Sequence, residues 1–166
     1  CLDVNGITWG TTKNEPVEGV YQRCMYIVAL VNEFLRNVPN EPAEINKDGF
    51  EAEARFCRAL AYYTLMDMFG IPPFITETNY SISPSQLPRA ELFNWIESEL
   101  LDVRASLPGA SQGMYGRADQ GVVDALLARM YLNAQVYTGK ERYSDCILAC
   151  NRVIAGGYQL AEDYAE

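Results

Sequence analysis

The sequence predicts an all-α protein that contains antiparallel helical hairpins. Apolar residues recur at three- and four-residue steps in five stretches, which is the spacing of one helix face. No stretch alternates Val, Ile or Thr with polar residues as a half-buried strand would, so we expect no substantial sheet. The connection before the last stretch is short, and short connections make consecutive helices antiparallel neighbours.

The chain has 166 residues, which is enough for one domain with a sizeable core. We therefore assign residues 1–166 to a single helical domain. The five predicted helices are placed at about 17–38, 49–69, 88–107, 118–137 and 141–155. Between the second and third helices, residues 71–87 are rich in Pro, Ser and Thr and are expected to form a loop.

The first two predicted helices differ in how their apolar residues are arranged. The first has one stripe, made of Val17, Val20, Cys24, Ile27, Val31, Leu35 and Val38. The second has two stripes, one of Phe50, Ala54, Cys57, Ala61, Leu65 and Met68 and the other of Phe56, Leu60 and Tyr63. Asp48 with Glu51 resembles a capping box at its start. A helix that is apolar on two sides needs neighbours on both, so we expect the isolated chain to expose apolar surface and to associate.

The last three predicted helices each have one apolar face. Pro88 suits the first turn of the third helix, and Gly139 suits the end of the fourth. The third helix has its stripe at Leu92, Ile96, Leu100, Val103 and Leu107. The fourth has Val123, Leu126, Met130, Ala134 and Tyr137 on one face, and the fifth is predicted to bury Tyr143, Ile147, Cys150 and Ile154.

A weak internal repeat is present at an offset of 68 positions. The residues concerned are Ala54, Cys57, Tyr63 and Phe69, matched by Val122, Ala125, Tyr131 and Tyr137. Two tetratricopeptide periods of 34 residues give this offset. The repeat therefore favours tetratricopeptide-like hairpins, which stack into concave binding surfaces and rarely carry catalysis.

Composition argues against several classes of function. The formal charge of −9 disfavours binding to nucleic acid or to an anionic lipid surface. The absence of histidine removes the commonest general base and metal ligand. No Cys-x-x-Cys pair or Asp-x-Asp-x-Asp loop occurs, so the sequence predicts no metal, no cofactor and no catalytic residue. Four of the five cysteines lie on or near apolar stripes, where cysteine behaves as a small hydrophobic residue.

Several motifs, in order along the chain, resemble the SusD/RagB family. The signature helix and loop correspond to residues 53–63 (EARFCRALAYY) and 67–74 (DMFGIPPF). Residues 91–100 (ELFNWIESEL), 116–119 (GRAD) and 128–139 (ARMYLNAQVYTG) follow, and then 153–154 (VI) before 157–160 (GYQL). The likeness covers nearly the whole chain and is close to the starch-binding members. Complete members are several times longer, so we expect this chain to be part of such a protein.

The resemblance implies a fold, a cellular location and a function. Family members are helical, tetratricopeptide-like lipoproteins on the outer face of the outer membrane. They capture oligosaccharides or peptides and pass them, without bond cleavage, to a TonB-dependent transporter of the SusC type. The membrane is then reached only through a lipid anchor. Cys1 is either the lipidated residue or the first residue of a truncated chain, and we favour truncation.

The resemblance transfers no sugar-contacting residue, so the ligand-binding residues stay unassigned. Exposed aromatic rings stack on sugars, and Trp9 and Tyr80 lie outside the stripes where they could do so. Each has an ordinary alternative: Trp9 packs beneath the first helix, and Tyr80 is a loop residue without a ligand. Trp95, inside a helix, is expected in the core.

Charged residues of the motifs and of the third helix are interpreted as structural. We expect Arg55, Arg58, Asp67 and Arg117 to pin the second helix and the Gly116 turn through buried or partly buried pairs. Glu97, Glu99 and Asp102 are close together on one helix and are expected to form a solvated charged face. A glycosidase instead needs two carboxyl groups that face each other across a cleft. The main alternative function is a cytoplasmic tetratricopeptide-type adaptor that binds peptide tails.

Overall fold

The computed structural model describes residues 15–40, 42 and 46–159, and its regular structure there is helical. Apart from one isolated antiparallel bridge between Pro73 and Gln86, this part of the chain contains no β-structure. The helices are α1 (Glu15–Asn37), a 3₁₀ turn (Val38–Asn40), α2 (Lys47–Phe69), α3 (Arg89–Arg104), α4 (Gln120–Leu132), α5 (Ala134–Thr138) and α6 (Tyr143–Ile154). The predicted all-α class is confirmed.

The helices pack as antiparallel pairs, which are α1 with α2, α2 with α3, and α4 with α6. At one end of the first pair, the rings of Tyr21 on α1 and Phe69 on α2 meet edge to face at 5.2 Å. At one end of the second pair, Arg89 at the start of α3 donates hydrogen bonds to the carbonyl oxygen of Met66 near the end of α2. In the third pair, Arg152 near the end of α6 reaches the early part of α4 at Asp124.

One continuous apolar core lies between these pairs. Helix α2 is its centre and contributes Tyr62, Leu65 and Met66, all fully buried. The predicted stripe of α3 is buried, and so is that of the fourth predicted helix. Because large side chains from α2, α3 and α4 meet in one cluster, the hairpins form a single packed unit.

Helix α2 begins two residues earlier than the sequence predicts. The predicted capping box at Asp48 is wrong, because Asn46 is the N-cap and its side-chain oxygen accepts a hydrogen bond from the amide of Gly49 at 3.2 Å. A Cβ atom on Gly49 would stand 2.7 Å from Asn46 Nδ2. Glycine at this position therefore leaves room for the cap.

The fourth predicted helix, 118–137, is two helices in the structure. It breaks at Asn133, whose φ of −100° and ψ of 8° leave the helical region. The amide of Val136 then donates to the carbonyl of Asn133 at 3.0 Å, a tighter turn than an α-helix makes. The apolar stripe continues across the break to Tyr137, which explains why periodicity alone does not reveal it.

The buried face predicted for the last helix is wrong by a rotation of about one residue. Helix α6 buries Cys146 and Ala149, whereas Tyr143, Ile147 and Ile154 are 46%, 60% and 79% exposed. Small residues let α6 approach α4 closely, and the larger ones are left on the outside. Helix α6 therefore exposes an apolar surface that the sequence pattern does not predict, since the pattern places the exposed surface on the second helix.

A second exposed apolar surface lies between α1 and α2. Leu30 and Phe34 on α1 line a groove of about 340 Å³ together with Phe50 and Cys57 on α2. The expectation that Cys57 lies in the core is wrong, because this residue is exposed, whereas Cys24 and Cys146 are buried. Of the first predicted stripe of α2, Ala61 and Leu65 lie in the core, whereas Phe50, Cys57 and Met68 are at the surface.

Candidate functional site

The loop between α2 and α3 is held to the helices by buried polar groups. The hydroxyl of Tyr62 donates to the carbonyl oxygen of Ile75 at 2.8 Å and accepts from the amide of the same residue at 2.7 Å. Asn32 on α1 donates to the same carbonyl oxygen at 3.1 Å. The backbone of Ile75 is thus satisfied by side chains instead of a strand, which fixes the start of the loop.

Arg58 is the charged centre of this anchor. Its side chain is 2% exposed and donates from Nη1 to Asn32 at 2.6 Å and to Glu77, and from Nη2 to Glu99 at 2.9 Å. Its guanidinium also lies 5.4 Å from the ring centroid of Trp95. A buried guanidinium needs several partners, and here they come from α1, α3 and the loop. Arg58 therefore joins three parts of the chain, as the sequence predicts for a structural charge.

Of the aromatic candidates, Tyr80 is at the surface. Its side chain is 73% exposed on the loop, and the Arg36 guanidinium lies 5.7 Å from its ring centroid. Trp95 is half-buried and meets the rings of Tyr62 and Phe74 edge to face at 5.3 and 5.0 Å. It packs against the core, as expected. Trp9 and Cys1 lie outside the described residues.

The carboxylates of α3 do not form the solvated face that the sequence predicts. Glu97 and Glu99 side chains are only 16% and 13% exposed, and both are paired with arginines. Arg142 donates to Glu97 at 2.9 Å, and the Tyr131 hydroxyl donates to it at 2.7 Å. Only Asp102, 67% exposed, fits the prediction. The sequence could not show this because the partners lie on other helices.

Pairing also governs the protonation of buried carboxylates. Burial is the largest single effect on Glu77 and would raise its pKa, but hydrogen bonds from Arg58 and from the backbone, together with the charges of Arg58 and Arg55, outweigh burial and lower the pKa. Asp119 follows the same rule, because hydrogen bonds from Tyr158 and from backbone amides outweigh its burial and lower its pKa. Both groups are anionic at neutral pH, so neither is suited to act as a general acid.

Two motif residues join distant segments, as the sequence predicts. The hydroxyl of Tyr137 donates to Asp67 at 2.6 Å. Arg117 donates from Nε to Glu53 at 2.9 Å and from Nη2 to the same carboxylate. Gly116 precedes it with φ of 78°, a conformation that glycine favours, and so turns the chain toward α2. The signature helix and the GRAD turn are therefore in direct contact.

An open cleft, which no pattern in the sequence predicts, lies beside the pair of Glu53 and Arg117. It has a volume of about 410 Å³, with the start of α2 on one side and the end of the α3 region on the other. Its lining residues are Asn46, Gly49, Phe50, Glu53, Ser106, Leu107, Pro108, Met114 and Arg117. Phe50 was placed on an apolar stripe and Arg117 in a structural pair. Phe50 and Arg117 are far apart in sequence, so no local pattern predicts that they line the same cleft.

Inside the cleft, one aromatic ring and one ion pair lie side by side. Phe50 is 44% exposed, and the Arg117 guanidinium lies 5.5 Å from its ring centroid. Met114 is 77% exposed at the rim. A concave surface with an aromatic ring, apolar walls and a few polar groups is suited to holding a ligand.

Neither a membrane span nor a metal site is visible in the described ranges. Within residues 15–40 and 46–159, no helix combines the length and apolar character needed to cross a bilayer. The same part of the chain brings together no group of three metal-ligating side chains. What the described residues do offer is packed hairpins, paired charges and an open cleft.

Packed helical hairpins whose buried charges are taken up in ion pairs define a helical scaffold protein. Comparison with known proteins identifies the family to which this scaffold belongs. A SusD-like family model, described as starch-binding and associating with the outer membrane, matches residues 4–132. The chain therefore belongs to the SusD-like family.

Individual relatives agree with this assignment. Starch-binding protein SusD of Bacteroides thetaiotaomicron is 34% identical over 164 residues, which are 98% of this chain and 29% of SusD. The crystal structure of a SusD superfamily protein from Parabacteroides distasonis matches 99% of this chain and 36% of its own, at 26% identity and a TM-score of 0.83. A laminarin-binding SusD-like protein matches 87% of this chain and 32% of its own, at 25% identity and a TM-score of 0.69. The chain thus spans about a third of the length of these relatives.

Proposed function

We propose that this chain is mainly the helical scaffold of a cell-surface protein that binds a starch-like oligosaccharide. The protein delivers the glycan to a TonB-dependent transporter of the SusC type in the outer membrane and is held there by a lipid anchor. The observation that carries the proposal is the 34% identity to starch-binding protein SusD over 98% of the chain. The laminarin-binding relative supports a glycan ligand more generally.

We further propose that the protein binds its glycan without cleaving it. Hydrolysis of a glycosidic bond needs a carboxyl group with a raised pKa opposite a second carboxylate. The carboxylates of Glu77, Glu97 and Glu99 are instead paired with arginines. Asp119 accepts hydrogen bonds from Tyr158 and from backbone amides, and the pKa values of Glu77 and Asp119 are lowered. Incubation with labelled malto-oligosaccharides tests this proposal, since hydrolysis above that of a boiled control contradicts it.

The proposal of a scaffold is tested by calorimetric titration with malto-oligosaccharides. The protein encoded by the complete gene and the 166-residue chain are titrated in parallel. We expect binding by the former and much weaker binding by the latter, because the main sugar site is expected outside this chain. Equal affinities would place the main site within these residues. A cytoplasmic adaptor for peptide tails would give no heat with any glycan.

A further inference from the structure

We propose that the cleft lined by Phe50 and Arg117 is a subsite for a neutral glycan. This inference rests on the proposed function, because the ligand class is taken from it. The cleft volume of about 410 Å³ lies within the range of about 300–1,000 Å³ of small-molecule sites. The ion pair of Arg117 and Glu53 is enough to connect the GRAD turn to α2. The open cleft beside this pair is therefore not needed for that connection.

The first argument is the chemistry of the lining. A sugar ring presents C–H groups on its faces and hydroxyl groups at its edges, so it needs an aromatic surface beside planar polar groups. Phe50 is 44% exposed and supplies the aromatic surface. Arg117 uses Nε and Nη2 for Glu53, which leaves Nη1 outside that pair. Asn46 uses Oδ1 for the helix cap, so its amide nitrogen is not part of that bond.

The second argument is rigidity. Glu53 is held by the Arg117 fork, and the side chains of the pair are 21% and 44% exposed. Arg117 in turn rests over the Phe50 ring at 5.5 Å. The polar groups and the ring are thus fixed against each other before any ligand arrives, which lowers the entropic cost of binding.

The third argument is charge. The ion pair of Glu53 and Arg117 is neutral as a unit. Next to it, at Ser106, a smaller cavity of about 140 Å³ is lined by three carboxylates and one arginine: Asp48, Glu51, Asp102 and Arg55. The net charge of the chain is −9. An anionic sugar would be repelled here, so the subsite fits a neutral hexose chain and not a uronate or a sulfated glycan.

The experiment uses the protein encoded by the complete gene, with maltoheptaose, laminarihexaose and an oligogalacturonate as probes in calorimetric titrations. We expect Phe50→Ala to weaken neutral-glycan binding about fivefold or more, or to remove one of several binding events. Phe50→Tyr keeps the ring and should retain binding. Met114→Ala changes a side chain that is 77% exposed, leaves the core intact, and should also weaken binding.

Phe34→Ala is the matched control, since Phe34 is 41% exposed and lies in the apolar groove outside the cleft. If Phe50→Ala and Met114→Ala bind glycan as tightly as the wild-type protein does, the subsite is refuted. The proposed function would still stand. An equal loss in Phe34→Ala also overturns it, because the effect would then not be specific to the cleft. Wild-type protein that binds no glycan overturns both proposals. Tighter binding of the oligogalacturonate overturns the assignment to a neutral sugar.

Discussion

Tyr137 donates its hydroxyl proton to Asp67 across 2.6 Å, although the two residues are 70 positions apart. The bond ties the end of the signature helix α2 to α5, and the Arg89 guanidinium lies 5.3 Å from the ring centroid of Tyr137. The two partners belong to two separate family motifs. Their contact gives a physical reason for both residue types, because each motif supplies one half of a bond between hairpins.

The first prediction concerns this bond. Tyr137→Phe removes one hydroxyl and keeps the buried ring, so we expect a loss of about 1 kcal/mol in the free energy of unfolding. Asp67 is exposed enough to regain water, which keeps the loss small. Urea unfolding followed by circular dichroism measures it. Tyr143→Phe is the control, because that hydroxyl makes only a 3.5 Å contact with Gln135, and an equal effect there would refute the interpretation.

The second prediction concerns the buried Arg58. Arg58→Met leaves Glu99 and Asn32 without their shared donor in a region from which water is largely excluded. We expect a loss of about 1–3 kcal/mol in the free energy of unfolding, because Asn32 loses a buried donor whereas Glu99 keeps its pair with Arg55. Because the same guanidinium holds Glu77, limited proteolysis should also become faster within residues 76–86. Arg23→Met, at an exposed position of α1, is the control for loss of one positive charge. Unchanged cleavage in Arg58→Met would show that the loop is anchored without it.

The third prediction compares two glycines in helices. In α1, a Cβ atom on Gly19 meets nothing within 4 Å, so Gly19→Ala should stabilise the protein by about 0.5–1 kcal/mol. In α4, a Cβ atom on Gly121 would lie 2.0 Å from the hydroxyl oxygen of Tyr158, which donates to Asp119 at 2.6 Å. Gly121→Ala should therefore destabilise. Thermal unfolding of both variants gives opposite shifts in Tm, and shifts of the same sign would contradict the packing of Tyr158.

Hairpin architecture and the core could be predicted from sequence, whereas most of the site could not. The stripe from Val123 to Tyr137 is buried throughout, because periodicity reports directly which helix face is apolar. The break at Asn133 was missed since the stripe continues across it. The face of α6 was misjudged because Cys146 and Ala149 are small. Close approach of two helices favours small residues, while hydrophobicity alone favours large ones.

The residues of the candidate site were harder to predict than the helices, because their partners are distant in sequence. Motifs identified Arg58 and Arg117 as structural, and both make the expected pairs. Their partners could not be predicted, because Glu53 is 64 positions from Arg117 and no local pattern links them. Glu99 was expected at a solvated surface for the same reason. A charged residue on a helix is predicted to be exposed when its ion-pair partners on other helices are unknown.

The fourth prediction concerns alkaline pH. Burial is the main cause that raises the pKa of Tyr62 from 10.0 to about 12, and it also raises the pKa values of Tyr131, Tyr137 and Tyr158. The folded protein thus retains phenolic protons that the unfolded chain releases. The resulting stability is complete below pH 10 and is lost as the pH rises through the folded value, about 12 for Tyr62. Tyr62→Phe should give a shallower fall of unfolding free energy with pH above 10. An unchanged slope would contradict the assignment.

The fifth prediction concerns the outer face of α6, where Ile147, Leu148 and Ile154 are 60%, 57% and 79% exposed. An apolar face of this kind is costly to leave in water, so the isolated chain should self-associate as its concentration rises. Sedimentation velocity measures this. The double substitution Ile147→Glu with Ile154→Glu should shift the chain toward monomer, since each change removes apolar area and adds like charge. Asn151→Glu adds charge on the same helix without removing apolar surface, and should have the smaller effect. If it dissociates the chain equally well, net charge and not this face controls association.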